Sequence, residues 1–327
     1  MRLLIPFLLL SVGLIYKNHA QQAGPVNIIF DTDMGPDYDD VGALAVLHAL
    51  ADKGEANILA TVASTRYEGV ASVLDIINRY FNRPDIPIGV AGSYALNMRD
   101  WQHWSDSLRA TYPHTIKAND EAFDAVRLYR TILAAQPDES VVVVTVGFLS
   151  NLASLLKSGP DEFSPLNGKD LIAKKVKHLV SMAGKFPEGM EFNIEEDAEA
   201  AVFAIENWPG TILYSGFEIG EKIKTGIPLV NDTSIQNSPI KDVYRIAIPM
   251  AEGDRDGRMS WDQTAVLVAV RGPEPYYELV KGQIMLQKNG YNRWNYQNGS
   301  HFHLKEKMPV NEVERLINEL MMHQPSQ

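Results

Sequence analysis

The sequence has 327 residues, of which 45% are hydrophobic and 22% are charged, so the chain can bury a full-sized core. Its formal net charge of -11 at pH 7 argues against nucleic-acid binding, because nucleic-acid-binding proteins need a basic surface that displaces counterions from phosphates. The chain contains no cysteine, which excludes disulfide bonds, thiolate metal sites and a cysteine nucleophile.

The first twenty residues have the pattern of a signal peptide. Arg2 precedes an apolar run from Leu3 to Tyr16, which is shorter than the roughly 20 residues that a bilayer span requires. Cleavage after Ala20 would release a chain without a lipid-attachment cysteine. We therefore predict a signal peptide over residues 1–20, a secreted or periplasmic location and no stable membrane association after cleavage. An uncleaved anchor is the alternative.

Short apolar runs alternate with helix-like stretches along the rest of the chain. The runs predicted as strands are VNIIF, NILATVAS, IPIGVAG, SVVVVTVG, VKHLVSMAG and TILYSG, with helical periodicity in GVASVLDIINRYF and EAFDAVRLYRTILAAQ. This order predicts an α/β fold with a doubly wound, mostly parallel sheet flanked by helices. From Gly282 onward, alternating residues and Asn-Gly turn signals predict a C-terminal antiparallel β segment, followed by the helix VNEVERLINELM. No linker or repeat divides the chain, so we predict one domain over residues 24–325.

Five aspartates follow the first predicted strand in IIFDTDMGPDYDDVGALAVLHAL, namely Asp31, Asp33, Asp37, Asp39 and Asp40. In sheets of this type, ligands bind outside the carboxyl ends of the strands, which is where the cluster lies. Two carboxylates about 4 Å apart repel each other by roughly 4 kcal/mol at an effective dielectric constant near 20. A hard divalent cation would remove that repulsion. The structural alternative is a solvated loop in which Asp39 or Asp40 caps the following helix.

Other aspartate-rich sites fit this loop less well. An EF-hand register has proline at the position of the invariant glycine and glycine at the position of the bidentate glutamate. A haloacid-dehalogenase-like phosphatase would use Asp31 as its nucleophile and Asp33 as its acid, but it leaves the Asp39–Asp40 pair without a function. A non-catalytic, calcium-dependent protein that binds sugars or nucleosides is a further alternative, which would keep the cation site and lack turnover.

Four segments, in order along the chain, resemble motifs of the nucleoside hydrolase family. FDTDMGPDYDD is similar to the family signature D-x-D-P-G-x-D-D, although the loop is two residues longer and Met34 stands at the proline position. VTVGFLSNLASLL resembles the segment xGPLTNLA, and MAGKFPEGMEFNIEEDAEAAVF resembles the block GG…EFNxxxDPEAA. SWDQTAVLVAV resembles the segment that carries the last metal-binding aspartate. Four ordered motifs are much more specific than any one of them.

The resemblance implies an enzyme that hydrolyses the N-glycosidic bond of ribonucleosides to free base and ribose, with Ca²⁺ as its cofactor. The Ca²⁺ ligands implied for this sequence are the carboxylates of Asp33, Asp40 and Asp262 and the main-chain carbonyl of Val146. Asp33 would also act as the general base that deprotonates the attacking water. An all-oxygen ligand set of this kind suits Ca²⁺ better than Mg²⁺.

The resemblance also implies contacts with a small-molecule ribonucleoside. Asp39 would bind a ribose hydroxyl, and Glu191 and Asn193 would bind the 3′ and 5′ side of the sugar. Several family members have a histidine before the last calcium aspartate, whereas this chain has Trp261. A tryptophan here is similar to the purine-preferring branch, in which an indole stacks on the base. Family members also suggest a homodimer or a homotetramer.

Several residues near the predicted site keep alternatives open. Asp31 is expected to orient neighbouring ligands, whereas Asp37 has no counterpart in the family signature and could displace a neighbour at the metal. Trp101 or Trp104 could supply the opposite face of a base-binding sandwich. One of three residues after the second strand would replace an asparagine found in many members: Ser64, Thr65 or Arg66.

Histidines and nearby apolar residues have structural interpretations. His301 and His303 share one face of a predicted surface hairpin, so a functional role for them is the less favoured alternative. His48 lies in the apolar helix after the aspartates and is predicted to be a hydrogen-bonded core residue. Phe192 is predicted to belong to the core.

Overall fold

An 11-stranded sheet forms the centre of the structure, a computed structural model that describes residues 24–297 and 299–325. The predicted signal peptide lies outside the described residues. The strands are β1 (Val26–Thr32), β2 (Ala56–Ala63), β3 (Ile88–Val90), β4 (Phe123–Asp124), β5 (Val141–Thr145), β6 (Val176–Met182), β7 (Glu188–Gly189), β8 (Ile212–Ser215), β9 (Lys224–Thr225), β10 (Arg258–Met259), β11 (Tyr277–Leu286), β12 (Asn292–Asn295) and β13 (His301–Glu306). Eleven of these strands form the central sheet, in the order β4-β3-β2-β1-β5-β6-β8-β13-β11-β12-β7. The other two, β9 and β10, pair with each other in a separate two-stranded sheet.

Most of this sheet is parallel. The strands from β4 to β13 in that order pair in parallel, and β11, β12 and β7 continue the sheet with antiparallel pairing. All residues of β5 are buried, as expected for a central parallel strand covered on both faces. The predicted doubly wound sheet and C-terminal antiparallel segment are confirmed. That segment extends the main sheet, because β13 pairs in parallel with β8 and antiparallel with β11.

Helices cover both faces of the sheet. They are α1 (Asp39–Asp52), α2 (Val70–Tyr80), α3 (Trp104–Thr111), α4 (Ala125–Ala135), α5 (Ser150–Lys157), α6 (Gly168–Lys175), α7 (Phe192–Glu196), α8 (Ala198–Asn207), α9 (Phe217–Gly220), α10 (Ile227–Asn231), α11 (Pro239–Ala247), α12 (Trp261–Arg271) and α13 (Val310–Met321). Ile28 and Phe30 of β1 belong to an apolar cluster with α1, α2, α11, α12 and α13. Ile29 belongs to a second cluster with α4, α5, α6 and α8, because successive strand residues face opposite sides. Within the described residues, every helix is too short or too polar to cross a bilayer.

The strand order reverses between β1 and β5. The chain passes from β1 through α1 to β2 on one side, and α4 returns it to β5 on the other side of β1. Ligands of α/β sheets bind in the crevice outside the carboxyl ends of the strands at such a reversal. The loop with Asp33 follows β1, and Val146 follows β5, so both predicted segments reach this crevice.

Gly147 allows the loops that follow β1 and β5 to touch. A Cβ atom on Gly147 would lie 2.2 Å from the backbone nitrogen of Asp33 and 2.7 Å from its Cβ. The neighbouring Val146 N–H donates to the Asp31 carbonyl at 2.8 Å, which fixes this approach. The family-like glycine is therefore required by the position of Asp33.

We expect Gly147→Ala to lower the free energy of unfolding by about 1–3 kcal/mol, because the added methyl group overlaps the Asp33 backbone. Gly159→Ala is the matched control, since a Cβ atom there has no neighbour within 4 Å. Thermal denaturation of both variants under one set of conditions measures the difference. Equal melting temperatures for the two variants would contradict the expected overlap.

His48 is buried in α1, as predicted. Its Nε2 lies 3.0 Å from Asn78 Oδ1, and its ring stacks on Phe81 with a centroid separation of 4.6 Å. Burial, because the protonated ring would lose its hydration, and secondarily the nearby Arg83 together lower the pKa of His48 to about 3. The folded protein therefore accommodates the neutral imidazole.

This histidine should make the stability of the fold depend on pH. The unfolded chain takes up the His48 proton near pH 6.5, whereas the folded chain does so only near pH 3. Its contribution is thus fully present above pH 6.5 and is lost as the pH falls. We expect acidification from pH 8 to pH 5 to lower the free energy of unfolding of both proteins. The loss should be about 2 kcal/mol larger for the native protein than for the His48→Gln variant. Urea unfolding of both proteins at both pH values tests this, and equal losses would contradict it.

Candidate active site

A cleft of about 200 Å³ opens at the carboxyl ends of β1 and β5. Its acidic lining residues are Asp33, Asp37, Asp39, Asp40, Glu191 and Asp262. The other lining residues are Val146, Met182, Phe192, Asn193, Phe217, Arg258 and Trp261. The cation ligands and substrate contacts implied by the four family-like motifs therefore all line one cleft.

Two helix N-termini supply three of the carboxylates. Asp39 and Asp40 occupy the first turn of α1, and Asp262 occupies the first turn of α12. The partial positive charge at a helix N-terminus favours carboxylates in this position. Because α1 packs along α12, the three side chains meet, with carboxylate oxygens within 4.8 Å of one another. This acidic cluster could bind a metal.

The negative charges and the hydrogen-bonding oxygens of the cleft carboxylates are only partly balanced by the surrounding protein groups that the structure describes. Asp33 Oδ2 and Asp40 Oδ2 are buried and have no hydrogen-bond partner in the described part of the chain. The hydroxyl of Thr32 donates to the other oxygen of Asp40. Burial, together with the neighbouring carboxylates, raises the pKa of Asp33, Asp40 and Asp262 well above the usual range. A hard cation with oxygen ligands fits these residues, since it would satisfy the two oxygens and relieve the repulsion.

Asp31 does not line the cleft. The Tyr129 hydroxyl and the Asn151 amide donate to its Oδ2 at 2.8 Å and 3.1 Å. Asn151 also donates to the Ala63 carbonyl at 3.0 Å, which connects Asp31 to the end of β2. Burial raises the pKa of Asp31 to about 7. The residue fixes the end of the strand from which Asp33 projects, in agreement with the orienting function expected for it.

Arg258 lines the cleft and was not predicted from the sequence. Its Nε and Nη2 donate to Asp39 Oδ1 at 3.1 Å and 2.9 Å, and Nη2 lies 2.6 Å from Asp37 Oδ1. The guanidinium carbon lies over the rings of Tyr38 and Trp261, 5.0 Å from each centroid. Among the described residues that line the cleft, it is the only cation.

The pairing with Arg258 also gives a structural role to Asp37, the aspartate without a counterpart in the family signature. The Asp37 side chain is 39% exposed and lies outside the group of three carboxylates that could share a cation. The adjacent Tyr38 hydroxyl donates to Asp254 Oδ2 at 2.7 Å. These contacts join the lengthened loop before α1 to the segment before α12. The one signal for them in the sequence is a basic residue four positions before the predicted metal ligand Asp262.

Comparison with known proteins identifies the fold and the family. A family model described as inosine-uridine preferring nucleoside hydrolase matches residues 28–309, which include every predicted site residue. The chain belongs to this nucleoside hydrolase family. No functionally curated protein gives a significant sequence match.

Solved nucleoside hydrolases share the fold of this family member at low sequence identity. A plant nucleoside hydrolase is 20% identical, with a TM-score of 0.70 over 91% of this chain and 99% of the other. A purine-preferring ribonucleoside hydrolase from Gardnerella vaginalis is 16% identical, with a TM-score of 0.67 over 90% and 99%. An inosine-uridine preferring nucleoside hydrolase from Bacillus anthracis is 15% identical, with a TM-score of 0.66 over 91% and 99%.

Family membership makes this nucleoside hydrolase an enzyme of the nucleosidase class, as the four motifs predicted. The family match and the shared fold support N-ribohydrolase activity on small-molecule nucleosides. The observed cleft lies where both the strand order and the family motifs place it.

In this nucleoside hydrolase, the predicted ribose ligands also hold the backbone of the cleft. The Asn193 amide donates to the carbonyls of Val146 and Met182 at 3.0 Å and 3.1 Å. Glu191 accepts the N–H groups of Asn193 and Ile194 and thereby caps α7. Burial raises the pKa of Glu191 to about 7. The carbonyl predicted as a cation ligand is thus in direct contact with a predicted ribose ligand.

Aromatic side chains form one wall of the cleft. The Trp261 indole N–H donates to the Phe217 carbonyl at 2.8 Å, and the two rings lie 5.2 Å apart. Phe192 also lines the cleft and is 38% exposed. The prediction that Phe192 belongs to the core is wrong, because it occupies the first position of α7 at the cleft.

Several predicted alternatives do not line the cleft. Trp104 is entirely buried and Trp101 is 56% exposed, and neither contributes to the lining, so neither faces Trp261 across the cleft. Ser64 is buried, while the side chains of Thr65 and Arg66 donate to carbonyls of the loop after β3. Thr65 and Arg66 thus organise neighbouring backbone, and none of the three residues lines the cleft.

His301 and His303 are buried in β13, which corrects the prediction of a surface hairpin. Their rings pack against Tyr214 and Phe186 respectively. Burial lowers the pKa of His301 to about 4. The difference arises because β13 inserts between β8 and β11, so its side chains face the core.

Proposed function

We propose that this nucleoside hydrolase cleaves the N-glycosidic bond of ribonucleosides to free base and ribose with Ca²⁺ as its cofactor. The supporting observation is that the residues nominated by four separate motifs line one cleft. The residues that would hold the ion are Asp33, Asp40, Asp262 and the carbonyl of Val146, and Asp39 is close enough to share it. Ca²⁺ bound there would polarise the attacking water and bind the ribose diol.

The residues of the chain have distinct tasks in this proposal. Asp33 lines the cleft with a buried Oδ2 that has no hydrogen-bond partner among the described residues, so it can accept the proton of the water as the water oxygen bonds to C1′. Asp39 would bind one ribose hydroxyl, and Glu191 and Asn193 would bind the 3′ and 5′ side. As the C1′–N bond lengthens, the sugar gains positive charge, which the surrounding carboxylates stabilise more strongly than they stabilise the ground state.

We further propose a preference for purine nucleosides. The wall formed by Phe217 and Trp261, with Phe192 elsewhere in the lining, offers aromatic surface to a leaving base, and a purine covers more of it than a pyrimidine does. The shared fold with a purine-preferring ribonucleoside hydrolase is consistent with this preference.

We also propose that the protein is exported to a secreted or periplasmic location. The support is the early cation Arg2 and the short apolar run that follows it. A homodimer or homotetramer stays a prediction from the family resemblance. A single domain over residues 24–325 stays a prediction from the absence of a linker or repeat in the sequence.

The two alternative functions make different demands on the site. A phosphatase would need Asp31 as its nucleophile. Asp31 is instead buried, does not line the cleft, and accepts hydrogen bonds from Tyr129 and Asn151. A non-catalytic binding protein would share the cation site and would differ only in turnover.

Turnover assays separate these functions. The protein is incubated with inosine, adenosine, guanosine and uridine, with added Ca²⁺ or with a chelator, and free base and ribose are quantified. We expect Ca²⁺-dependent release of both products, faster from the purine nucleosides. Absence of release from every ribonucleoside would overturn the proposed function. Ca²⁺-dependent binding without turnover would favour the binding protein, and phosphate release from nucleotides would favour the phosphatase.

A further inference from the structure

We infer that Arg258 binds the leaving base and stabilises the negative charge that the base acquires as the glycosidic bond breaks. The inference rests on the proposed function and assigns a further residue to it. Arg258 would act through hydrogen bonds and charge, at a site where this chain has no histidine before the last metal-binding aspartate.

The chemistry of the cleft walls places the base beside Arg258. The acidic cluster of α1 and α12 would hold the cation and the ribose diol, and α7 contributes the two polar residues Glu191 and Asn193. The remaining lining residues include Trp261, whose ring lies against both the Phe217 ring and the guanidinium of Arg258. A ribose held by the polar groups therefore directs its C1′ substituent toward the aromatic wall and the guanidinium.

Arg258 is fixed before a substrate binds. It is buried, with its guanidinium held by Asp37 and Asp39 and covered by the rings of Tyr38 and Trp261. A donor that is already oriented stabilises developing charge without reorganisation during the reaction. The two ion pairs therefore serve to position the guanidinium in the cleft.

The guanidinium retains donors for a ligand. Nε and Nη2 donate to Asp39, whereas Nη1 lies 3.7 Å from Asp254 Oδ2, which is beyond hydrogen-bond distance. The N–H groups of Nη1 can therefore donate to a ring nitrogen or a carbonyl oxygen of the base. Arginine presents these donors in a planar fork that matches paired acceptors.

No neutral proton donor occupies this wall in the part of the chain that the structure describes. None of the described histidines lines the cleft, and the indole N–H of Trp261 already donates to the Phe217 carbonyl. An arginine cannot release its proton at neutral pH, so its effect on the base is electrostatic. The C1′–N bond breaks with its electron pair passing to the base, the water oxygen bonds to C1′, and the water proton passes to Asp33. The base anion, stabilised by Arg258, is protonated by solvent on release.

The dependence of the rate on the leaving group tests this role. Arg258→Met and Arg258→Lys are compared with the native protein on inosine and on p-nitrophenyl β-D-ribofuranoside, whose phenolate leaves without assistance. For inosine we expect Arg258→Met to lower kcat/KM roughly 100-fold, as loss of one preorganised donor does elsewhere. For the nitrophenyl riboside we expect a loss of less than about 3-fold, since that leaving group needs little stabilisation. Arg258→Lys keeps the charge and should show the same pattern with a smaller loss.

Two controls make the comparison specific. Arg255→Met removes an exposed arginine that pairs with Glu252 at 3.4 Å, and both substrates should react at the native rate. The rise in melting temperature on addition of Ca²⁺ should persist in Arg258→Met, which shows that the cation site is intact. If Arg258→Met does not fold, the pattern is read from Arg258→Lys.

Equal losses for the two substrates, or no loss with inosine, would overturn the role of Arg258 at the leaving group. Failure of the native protein to release product from either substrate would instead overturn the proposed function. The two failures are therefore distinguishable within one experiment.

Discussion

Asp33→Asn is expected to lower kcat for ribonucleoside hydrolysis by roughly 10⁴-fold, because an amide cannot accept the proton of the attacking water. Asp33 follows β1 at the strand-order reversal, and its backbone packs against Gly147, so few other positions are available to its side chain. Its Oδ2 is buried and has no hydrogen-bond partner within residues 24–297 and 299–325, which leaves this oxygen for water or for the cation.

Steady-state kinetics with saturating Ca²⁺ measure this effect. Asp138→Asn is a matched control. Asp138 is exposed, pairs with Lys175 and precedes β5, so it lies at the end of the strands opposite to the cleft. The variant should retain native turnover. If Asp33→Asn kept more than a tenth of native kcat, the general base would have to be Asp37 or Asp39 instead.

Removal of Ca²⁺ is expected to abolish turnover and to lower stability. The cleft collects several carboxylates, two of which, Asp33 and Asp40, each have a buried oxygen without a partner in the described part of the chain, and a bound cation would replace their mutual repulsion with attraction. At a free Ca²⁺ concentration 100 times Kd, binding should stabilise the folded protein by about 2.7 kcal/mol. Mg²⁺ should stabilise less, because its small, rigid octahedral shell fits several converging carboxylates poorly.

Thermal unfolding after exhaustive chelation, repeated with Ca²⁺ restored, measures the stabilisation. Asp262→Asn should reduce the Ca²⁺-induced rise in melting temperature, because it removes one of the three convergent carboxylates. Asp138→Asn should leave that rise unchanged. A native protein whose melting temperature and turnover are both indifferent to Ca²⁺ would contradict the assignment of the cofactor.

Much of the fold was predictable because the spacing of hydrophobic residues along the sequence indicates which faces of a strand or helix are buried. The continuous apolar run that became β5 is buried on both faces, and the helical pattern in VNEVERLINELM corresponds to α13. The general location of the site was also predictable. Carboxyl ends of parallel strands lie at one edge of a sheet, so an aspartate cluster directly after β1 must lie at that edge.

The remaining features depend on contacts between distant parts of the chain. Arg258 lies in the short strand β10, and its hydrogen-bond partner Asp39 is 219 residues earlier, so no local pattern joins them. Phe192 has the hydrophobicity of a core residue, and only the position of α7 beside the cleft exposes it. The burial of His301 follows from the pairing of β13 with β8, which alternation within a hairpin cannot reveal.

The link between the lengthened loop and the segment before α12 has an evolutionary consequence. Arg258 is buried, and the loop supplies its partner Asp37 and the covering ring of Tyr38. A shorter loop would remove that partner and that ring and leave the buried guanidinium less compensated, which is costly. The longer loop and the arginine should therefore be gained and lost together, and should mark a common lineage within the family.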